Sequence, residues 1–280
     1  MTIRIVTDST CDLPQSVIDE LGITVVPLYI NIGQRSFRDG VEISRKEFYT
    51  NLPNYSNHPT TATPSVDVMN KAYQSLVDEG ATEILSIHIS ISLSATVDVA
   101  RTAAEQFSSA PVTVLDSRQL SLGTGFQVET AARMAMQGKS MAEILAELED
   151  MASRSFVSAR LSTLEFLRRS GRMNSAMTGI GSLLRLKPIL KMIDGKPTSE
   201  RVRTFKKAEN RLIQLLKERA PIERFALVHT NAHADAEVLL DRIKKILDVT
   251  PVYSMDITPV IGAHIGPGAI GFAIISAKGN

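Results

Sequence analysis

The sequence predicts an α/β protein of two domains, an N-terminal three-layer domain on a mainly parallel sheet and a C-terminal two-layer domain on a mixed sheet. In the first half, short apolar runs alternate with amphipathic helical segments, which is the pattern of parallel strands covered by helices on both faces. In the second half, Asp194-Gly195 separates two strand-like runs and predicts a hairpin, which requires antiparallel pairing. This change in pattern places the boundary near residue 154 and gives domains 1–154 and 155–280.

The predicted strands and helices of the first half are bounded by turn and cap signals. The strands are expected at 3–7, 23–32, 84–91 and 112–115. The helices are expected at 14–22, 45–52, 64–78, 97–104, 119–137 and 140–152. Pro27 indicates an edge or a bulge in the second strand. Thr63 followed by Pro64 has the pattern of an N-cap with proline at the first helical position, and Ser44 with Glu47 has that of a capping box.

The second half has fewer helices and more strands. Strands are expected at 156–161, 187–193, 196–204, 224–229, 252–256 and 272–276. Helices are expected at 163–169, 205–219 and 235–247, and the segment 175–186 is rich in small and apolar residues. Sequence alone does not distinguish a ligand-lining role for 176–186 from plain core packing.

Composition restricts the functional classes. The chain has 280 residues, enough for a large core, and a net charge of +1, which does not suit binding to nucleic acid or to an anionic membrane surface. The single cysteine, Cys11, excludes an internal disulfide and fits a reducing cytoplasm. We expect Cys11 to be a small packing residue. No apolar run is long enough to span a membrane, so a cytoplasmic protein without membrane insertion is predicted.

The junction of the 84–91 strand with the next helix is rich in hydroxyls. Ser92, Ser94 and Thr96 lie within five residues at the end of a probable central strand. Ligands bind at the carboxyl ends of strands in open α/β sheets, and a helix start favours an anion. Capping of the helix by these hydroxyls is the competing interpretation.

Two further segments contain candidate site residues. Thr60 and Thr61 lie in a hydroxyl-rich loop and have no obvious capping role, whereas His58 is expected to be an exposed loop residue. His264 precedes Gly266-Pro267-Gly268, where the backbone could approach a ligand closely, although a satisfied histidine at a strand start remains the default interpretation.

The motifs of the common enzyme classes are missing from the sequence. It contains no Gly-x-Ser-x-Gly elbow, no Walker loop and no His-Glu-x-x-His, and Gly123-Thr-Gly125 lacks the third glycine of a dinucleotide loop. His229 and His233 need not share a face, so no metal site is expected. Thr61, Ser94 and His264 remain as hydroxyl and imidazole groups suited to a carboxylate or phosphate, which predicts a binding site and no catalytic residue.

Six segments, in their order and spacing, resemble a known family. They are Val6-Thr7-Asp8-Ser9-Thr10-Cys11-Asp12-Leu13, Thr61-Ala62-Thr63-Pro64-Ser65, Ser92-Leu93-Ser94-Ala95-Thr96, residues 163–172 from Thr163 to Arg172, Leu186-Lys187-Pro188-Ile189-Leu190, and His264-Ile265-Gly266-Pro267-Gly268. The chain is similar over essentially its whole length to the DegV family, in particular to the fatty-acid-binding type that serves as the B subunit of bacterial fatty acid kinase.

The resemblance implies a DegV-like fold that holds one long-chain fatty acid in a tunnel between the domains. The fatty-acid carboxylate would contact Thr61, Ser94 and His264. Further ligand or rim positions implied by the same motifs are Ser92, Thr96, Thr60, Ala62, Gly266 and Arg172. A fatty acid kinase catalytic subunit would phosphorylate the presented carboxylate for phospholipid synthesis. This protein would have no ATP site, no catalytic residue and no cofactor, and any membrane contact would be transient.

Two positions depart from the family pattern, and two alternative functions stay open. Ala62 replaces the usual serine, and Ser170 replaces a usual glycine before Gly171-Arg172. The first alternative is a small-molecule phosphotransferase subunit related to dihydroxyacetone kinase, which would need a small polar pocket. The second is a regulatory module that senses lipid and binds another protein.

Overall fold

The computed structural model describes residues 2–172 and 187–279. The segment 176–186, for which a tunnel-lining role is considered above, lies outside the described residues. Strands are β1 Ile3–Asp8, β2 Thr24–Val26, β3 Tyr29–Ile32, β4 Arg35–Arg38, β5 Thr60–Ala62, β6 Glu83–His88, β7 Val112–Asp116, β8 Ser155–Arg160, β9 Ile189–Ile193, β10 Lys196–Glu200, β11 Ile222–His229, β12 Tyr253–Asp256 and β13 Ile270–Ser276. Helices are α1 Gln15–Leu21, α2 Arg45–Asn51, α3 Val66–Asp78, α4 Thr96–Gln106, α5 Leu122–Met136, α6 Met141–Arg154, α7 Glu165–Arg169, α8 Phe205–Lys217, α9 His233–Lys244 and α10 Pro259–Ile265.

The first large sheet is parallel and has helices on both faces, as predicted. Its strand order is β2-β1-β6-β7. On one face, Met69 and Tyr73 of α3 and Ala100 of α4 pack against apolar side chains of the strands. On the other face, α1, α5 and α6 form the opposite layer. The side chains of β6 are buried on both faces, which is typical of a central parallel strand.

The second large sheet is mixed, as predicted, with the order β10-β9-β8-β13-β11-β12. The β9–β10 hairpin turns at Asp194-Gly195, where both residues have positive φ. One face packs against α8 and α9, with Leu212 and Leu239 in its core. The other face packs against α5, so that Phe126 and Val157 belong to the same hydrophobic cluster.

Helix α5 is therefore packed between the two large sheets, and its glycines permit this close approach. A Cβ at Gly123 would lie 2.6 Å from Val157 Cγ2, and one at Gly125 would lie 2.4 Å from the Cys11 carbonyl oxygen. These distances explain Gly123 and Gly125 by packing. Cys11 itself is buried, and desolvation raises the pKa of its thiol to about 12, which agrees with its expected packing role.

Three local predictions are wrong. The single strand predicted at 23–32 is two strands, because Pro27 lies between β2 of the parallel sheet and β3 of a small antiparallel sheet ordered β4-β3-β5. Helix α3 is capped by Ser65, whose hydroxyl accepts from the Val68 N–H, so Thr63 is not its N-cap. His264 does not lie at a strand start, because it lies in the last turn of α10, a helix that the sequence analysis missed.

Candidate ligand-binding site

A cavity of about 260 Å³ is lined by elements from both halves of the chain. The loops after β1 and β6 contribute to it, together with β5, strands of the mixed sheet and α10. Most of the lining is apolar, with members that include Leu93, Val157, Met192, Val228, Ile261 and Ile265. Such a lining suits a ligand with a large apolar part, and a few polar groups would then fix its orientation.

Thr61 and His264 line this cavity and contact each other directly. Antiparallel pairing of β5 with β3 places Thr61 opposite Ile30, and α10 carries His264 towards the same place. The Thr61 Oγ1 atom lies 2.9 Å from His264 Nε2. The two residues are 203 positions apart in sequence. The fold therefore joins two of the three principal candidates in one hydrogen bond.

The environment of His264 keeps its ring neutral. Burial lowers its pKa to about 4, and the nearby cations of Arg172 and, when protonated, His58 act in the same direction. His264 Nδ1 is buried and has no hydrogen-bond partner within residues 2–172 and 187–279. The ring therefore offers a polar group that is not satisfied by the described protein, next to the cation of Arg172. An anionic ligand group would meet both.

Ser94, the third principal candidate, lines the same cavity from the turn between β6 and α4. Its hydroxyl lies 2.8 Å from Thr96 Oγ1 and accepts from the Thr96 N–H at 3.4 Å. The N-cap residue of α4 is Ala95, whose side chain cannot accept a capping hydrogen bond. The structure thus gives Ser94 a share in organising the helix start as well as a place in the lining.

The secondary candidates fall into two groups. Ala62 and the exposed Arg172 line the cavity, whereas Ser92, Thr96, Thr60 and Gly266 are not among its lining residues. The Ser92 hydroxyl donates to the Gly195 carbonyl at 2.6 Å and thereby holds the β9–β10 turn. Gly266 ends α10 with φ 74°, and a Cβ there would lie 2.3 Å from the Phe166 ring. These local contacts account for Ser92 and Gly266 without a ligand.

His58 is less exposed than the sequence analysis expected. It is half-buried, and its ring lies 5.4 Å from that of Phe166. Burial and the charge of Arg169 lower its pKa. It is therefore part of the packing around α10, with Phe166 between it and Gly266.

A buried chain of polar groups in the parallel sheet resembles a catalytic triad in its contacts. His88 Nδ1 lies 3.0 Å from Asp8 Oδ2, and His88 Nε2 lies 2.7 Å from Ser86 Oγ. Tyr73 also donates to Ser86 at 3.0 Å, and all four side chains are buried. A substrate cannot reach this serine, so we assign this series of hydrogen-bonded side chains a structural role. The alternation of serine and histidine in 84–91 was its only sequence signal.

No helix in the described part of the chain is both long and apolar enough to cross a membrane. Within the same residues, no group of three or more histidine, cysteine, aspartate or glutamate side chains could hold a metal ion. His229 instead contacts Asp256 through Nδ1 at 2.8 Å.

Known proteins resemble this chain over nearly its full length. A DegV domain-containing protein of Streptomyces coelicolor is 34% identical over 280 residues, covering 98% of each chain. The solved structure described as fatty acid binding of a DegV family protein from Thermus thermophilus is 35% identical, with a TM-score of 0.89 over 99% of this chain and 100% of that one. The structure of DegV, a fatty acid binding protein from Bacillus subtilis, is 31% identical, with a TM-score of 0.91 over the same shares. The model of the DegV family, described as uncharacterised proteins, matches residues 2–277, and this chain therefore belongs to the DegV family.

Proposed function

We propose that this protein binds a long-chain fatty acid in the cavity, with the carboxylate held by Thr61, Ser94 and His264. The observation that carries the proposal is an apolar cavity whose lining contains a part-buried threonine–histidine hydrogen bond beside an arginine. The descriptions of the Thermus and Bacillus relatives as fatty-acid-binding support it.

The apolar lining would supply most of the affinity. Each buried methylene contributes about 0.8 kcal/mol, so a sixteen-carbon chain would gain on the order of 10 kcal/mol before the cost of association. The polar groups would contribute orientation and a smaller share of affinity. This division of roles requires only a few polar groups, and the lining contains several hydroxyls, the His264 imidazole and the cations of Arg172 and Lys191.

Electrostatics favours an anionic head group. His264 is neutral at physiological pH because its pKa is about 4. Binding of a carboxylate beside it therefore does not require the desolvation of a histidine cation. Arg172 supplies the positive potential and is itself exposed at the cavity lining. While the Thr61–His264 hydrogen bond is kept, the hydroxyl and the neutral imidazole have one free proton between them. An ionised carboxylate can therefore accept from Ser94 and from either Thr61 or the histidine.

The wider role we propose is that of a ligand-binding subunit in the cytoplasm. A fatty acid kinase catalytic subunit would phosphorylate the presented carboxylate to an acyl-phosphate for phospholipid synthesis, and this protein would contribute no ATP site. Residues 1–154 and 155–280 would form the two domains, with the ligand between them. The separation of the parallel sheet, in residues 3–116, from the mixed sheet, in residues 155–276, supports that division.

A small-molecule phosphotransferase is the less favoured function. It would need a small polar pocket, whereas this lining is mostly apolar. Identification of the bound ligand would therefore distinguish fatty acid binding from phosphotransfer to a small molecule.

Native mass spectrometry of the purified protein, followed by organic extraction, tests the binding proposal. We expect one fatty acid per chain in the wild type and a smaller loaded fraction in Thr61→Ala, Ser94→Ala and His264→Ala, because each variant removes one polar contact. Thr60→Ala is the matched control, because Thr60 is exposed on the same strand and is not among the lining residues. A ligand-free mass that does not change on addition of oleate or palmitate would reject fatty acid binding.

The kinase role needs a separate experiment. The loaded protein is mixed with the candidate kinase subunit and ATP, and acyl-phosphate is trapped with hydroxylamine. We expect a hydroxamate only when both proteins are present. Its absence, with fatty acid still bound, would contradict the kinase role and leave the binding role in place.

A further inference from the structure

The start of α10 is held by side chains that come from the first 50 residues of the chain. Asp12 Oδ1 accepts from the Thr258 N–H at 2.7 Å, and the Thr258 hydroxyl donates to Asp39. Arg45 donates to the Asp256 carbonyl just before the helix. These bonds attach the start of α10 and the residues before it to the loops that follow β1 and β4 and to the first residue of α2.

Asp12 is the centre of this attachment. It is 1% exposed, and the loop holds it at φ 57°, a left-handed conformation that aspartate tolerates better than most residues. Its carboxylate lies 3.0 Å from Arg45 Nη2 and accepts from Ser121 Oγ at 2.6 Å. A buried carboxylate with this many partners defines its own position and that of the groups bonded to it.

Tyr49 fixes the same helix at a second level. Its hydroxyl donates to the Ile257 carbonyl at 3.2 Å. The same oxygen lies 2.2 Å from where a Cβ of Gly262 would be, so the phenol packs directly under the middle of α10. The helix is therefore supported both at its start and along its length.

The opposite end of α10 carries His264. The helix has seven residues, and Thr258 and His264 are about 9 Å apart along its axis at 1.5 Å per residue. A displacement at Thr258 would reach His264 with little attenuation, because such a short helix has no room to bend. The contact of His264 with Thr61 therefore depends on where Thr258 is held.

We propose that Asp12, with Arg45 as its counter-ion, is a positioning residue that sets the place of α10 and thereby of His264 in the ligand site. This inference rests on the proposed fatty-acid site for its functional meaning, whereas its structural content concerns the ligand-free protein. Asp12 is not among the cavity-lining residues. It acts through Thr258 and the helix.

The variant Asp12→Asn removes the charge and turns one acceptor into a donor that faces the Thr258 N–H or the Ser121 hydroxyl. Glu129→Gln is the matched control. Glu129 is also a buried carboxylate bonded to an arginine, Arg224. Its other partners are Tyr253 of β12 and Arg133 of α5, and none of these residues lines the cavity. Arg45→Lys is a second variant, which keeps a cation and tests the same attachment if Asp12→Asn does not fold.

The first measurement is the NMR signal of the His264 ring in the ligand-free protein, assigned by its loss in His264→Gln. We expect the ring signal to shift in Asp12→Asn, with a smaller shift in Arg45→Lys, and to stay in place in Glu129→Gln. An unchanged ring signal in Asp12→Asn would overturn the proposal. This readout does not require a fatty acid, so it decides the inference even if the proposed function fails.

The second measurement is oleate affinity by displacement of a fluorescent fatty acid. We expect about tenfold weaker binding in Asp12→Asn, the cost of misplacing one hydrogen bond to a charged group, and a change below about twofold in Glu129→Gln. In a His264→Gln background the effect of Asp12→Asn should shrink to below about twofold, because the two residues act through one contact. An undiminished tenfold loss in that background would show that Asp12 does not act through His264.

Discussion

Two polar clusters lie at opposite ends of α10 and differ in how completely their groups are bonded. In the first cluster, the Asp12 carboxylate has three partners, Arg45, Ser121 and Thr258. The second, Thr61 with His264, has one mutual hydrogen bond and a buried His264 Nδ1 without a partner in the described residues. Buried polar groups are normally satisfied, so an unpartnered nitrogen on a residue that lines the cavity offers a place for a ligand group. We therefore assign ligand binding to the Thr61–His264 cluster and the positioning of α10 to the Asp12 cluster.

The two clusters should also respond to pH in opposite directions, and the Asp12 effect is the largest we expect. Burial raises the Asp12 pKa from 3.8 to about 6, against the lowering effect of Arg45. The folded state thus holds this proton more tightly than the unfolded chain, and the free energy of unfolding falls as pH rises from about 4 to 6. The contribution is about 3 kcal/mol. Urea denaturation of wild type and Asp12→Asn across this range measures it as a difference, and equal pH slopes would contradict it.

His264 should give the reverse slope. Its pKa falls from 6.5 to about 4 on folding, so its contribution is present above about pH 6.5 and is lost as pH falls towards 4. We expect about 2–3 kcal/mol, a little below the full value because the ring keeps some accessible surface. His264→Gln should remove this acid-side loss in the same denaturation series. If the free energy of unfolding of the variant still falls at acid pH, the effect belongs to a titratable group other than His264.

Removing the Thr61 hydroxyl should affect the ligand more than the fold. Thr61→Val keeps the β-branched shape on β5 but loses the bond to His264 and one donor for a carboxylate. We expect oleate to bind about 10- to 30-fold more weakly, equivalent to about 1.5–2 kcal/mol, measured by calorimetric titration. Thr60→Val is the control on the same strand. Equal losses of oleate affinity in the two variants would contradict a specific role for the Thr61 hydroxyl.

The smallest expected effect concerns a hydroxyl that the contacts assign to the scaffold. Ser92 donates to the Gly195 carbonyl and holds the β9–β10 turn. Ser92→Ala should lower the free energy of unfolding by about 1 kcal/mol and leave oleate affinity unchanged. Thermal unfolding measures the stability and calorimetry measures the affinity. A loss of affinity without a loss of stability would indicate that Ser92 contacts the ligand.

The sequence predicted the elements that depend on local patterns. Asp194-Gly195 predicted its hairpin, because positive φ at both positions is a property of those residue types. Helix α10 was missed, because Pro259 to Ile265 is short, contains Gly262 and resembles a strand in its apolar content. Local pattern also placed the cap of α3 at Thr63, two residues before the true cap, because Thr-Pro and Ser-Val are both acceptable starts.

The candidate site was predictable only as a set of unexplained residues. Thr61 was selected because it had no obvious local role, and Ser94 and His264 were selected although helix capping and an ordinary satisfied histidine remained open. All three line the cavity. The contacts that arrange them were not predictable. The bond between Asp12 and Thr258 joins residues 246 positions apart, and nothing in either segment indicates the other. Long-range polar contacts of this kind have no periodic signal in sequence.

The position of α5 has a consequence for how the chain is made. The residues from Leu122 to Glu129 are all buried, because one side of the helix meets the parallel sheet and the other meets the mixed sheet. During synthesis the second side is only partly covered, by β8, until β13 has left the ribosome, more than 130 residues later. A nascent chain ending near residue 154 therefore presents an apolar helix face to the cell, and a chaperone has its longest opportunity to act there.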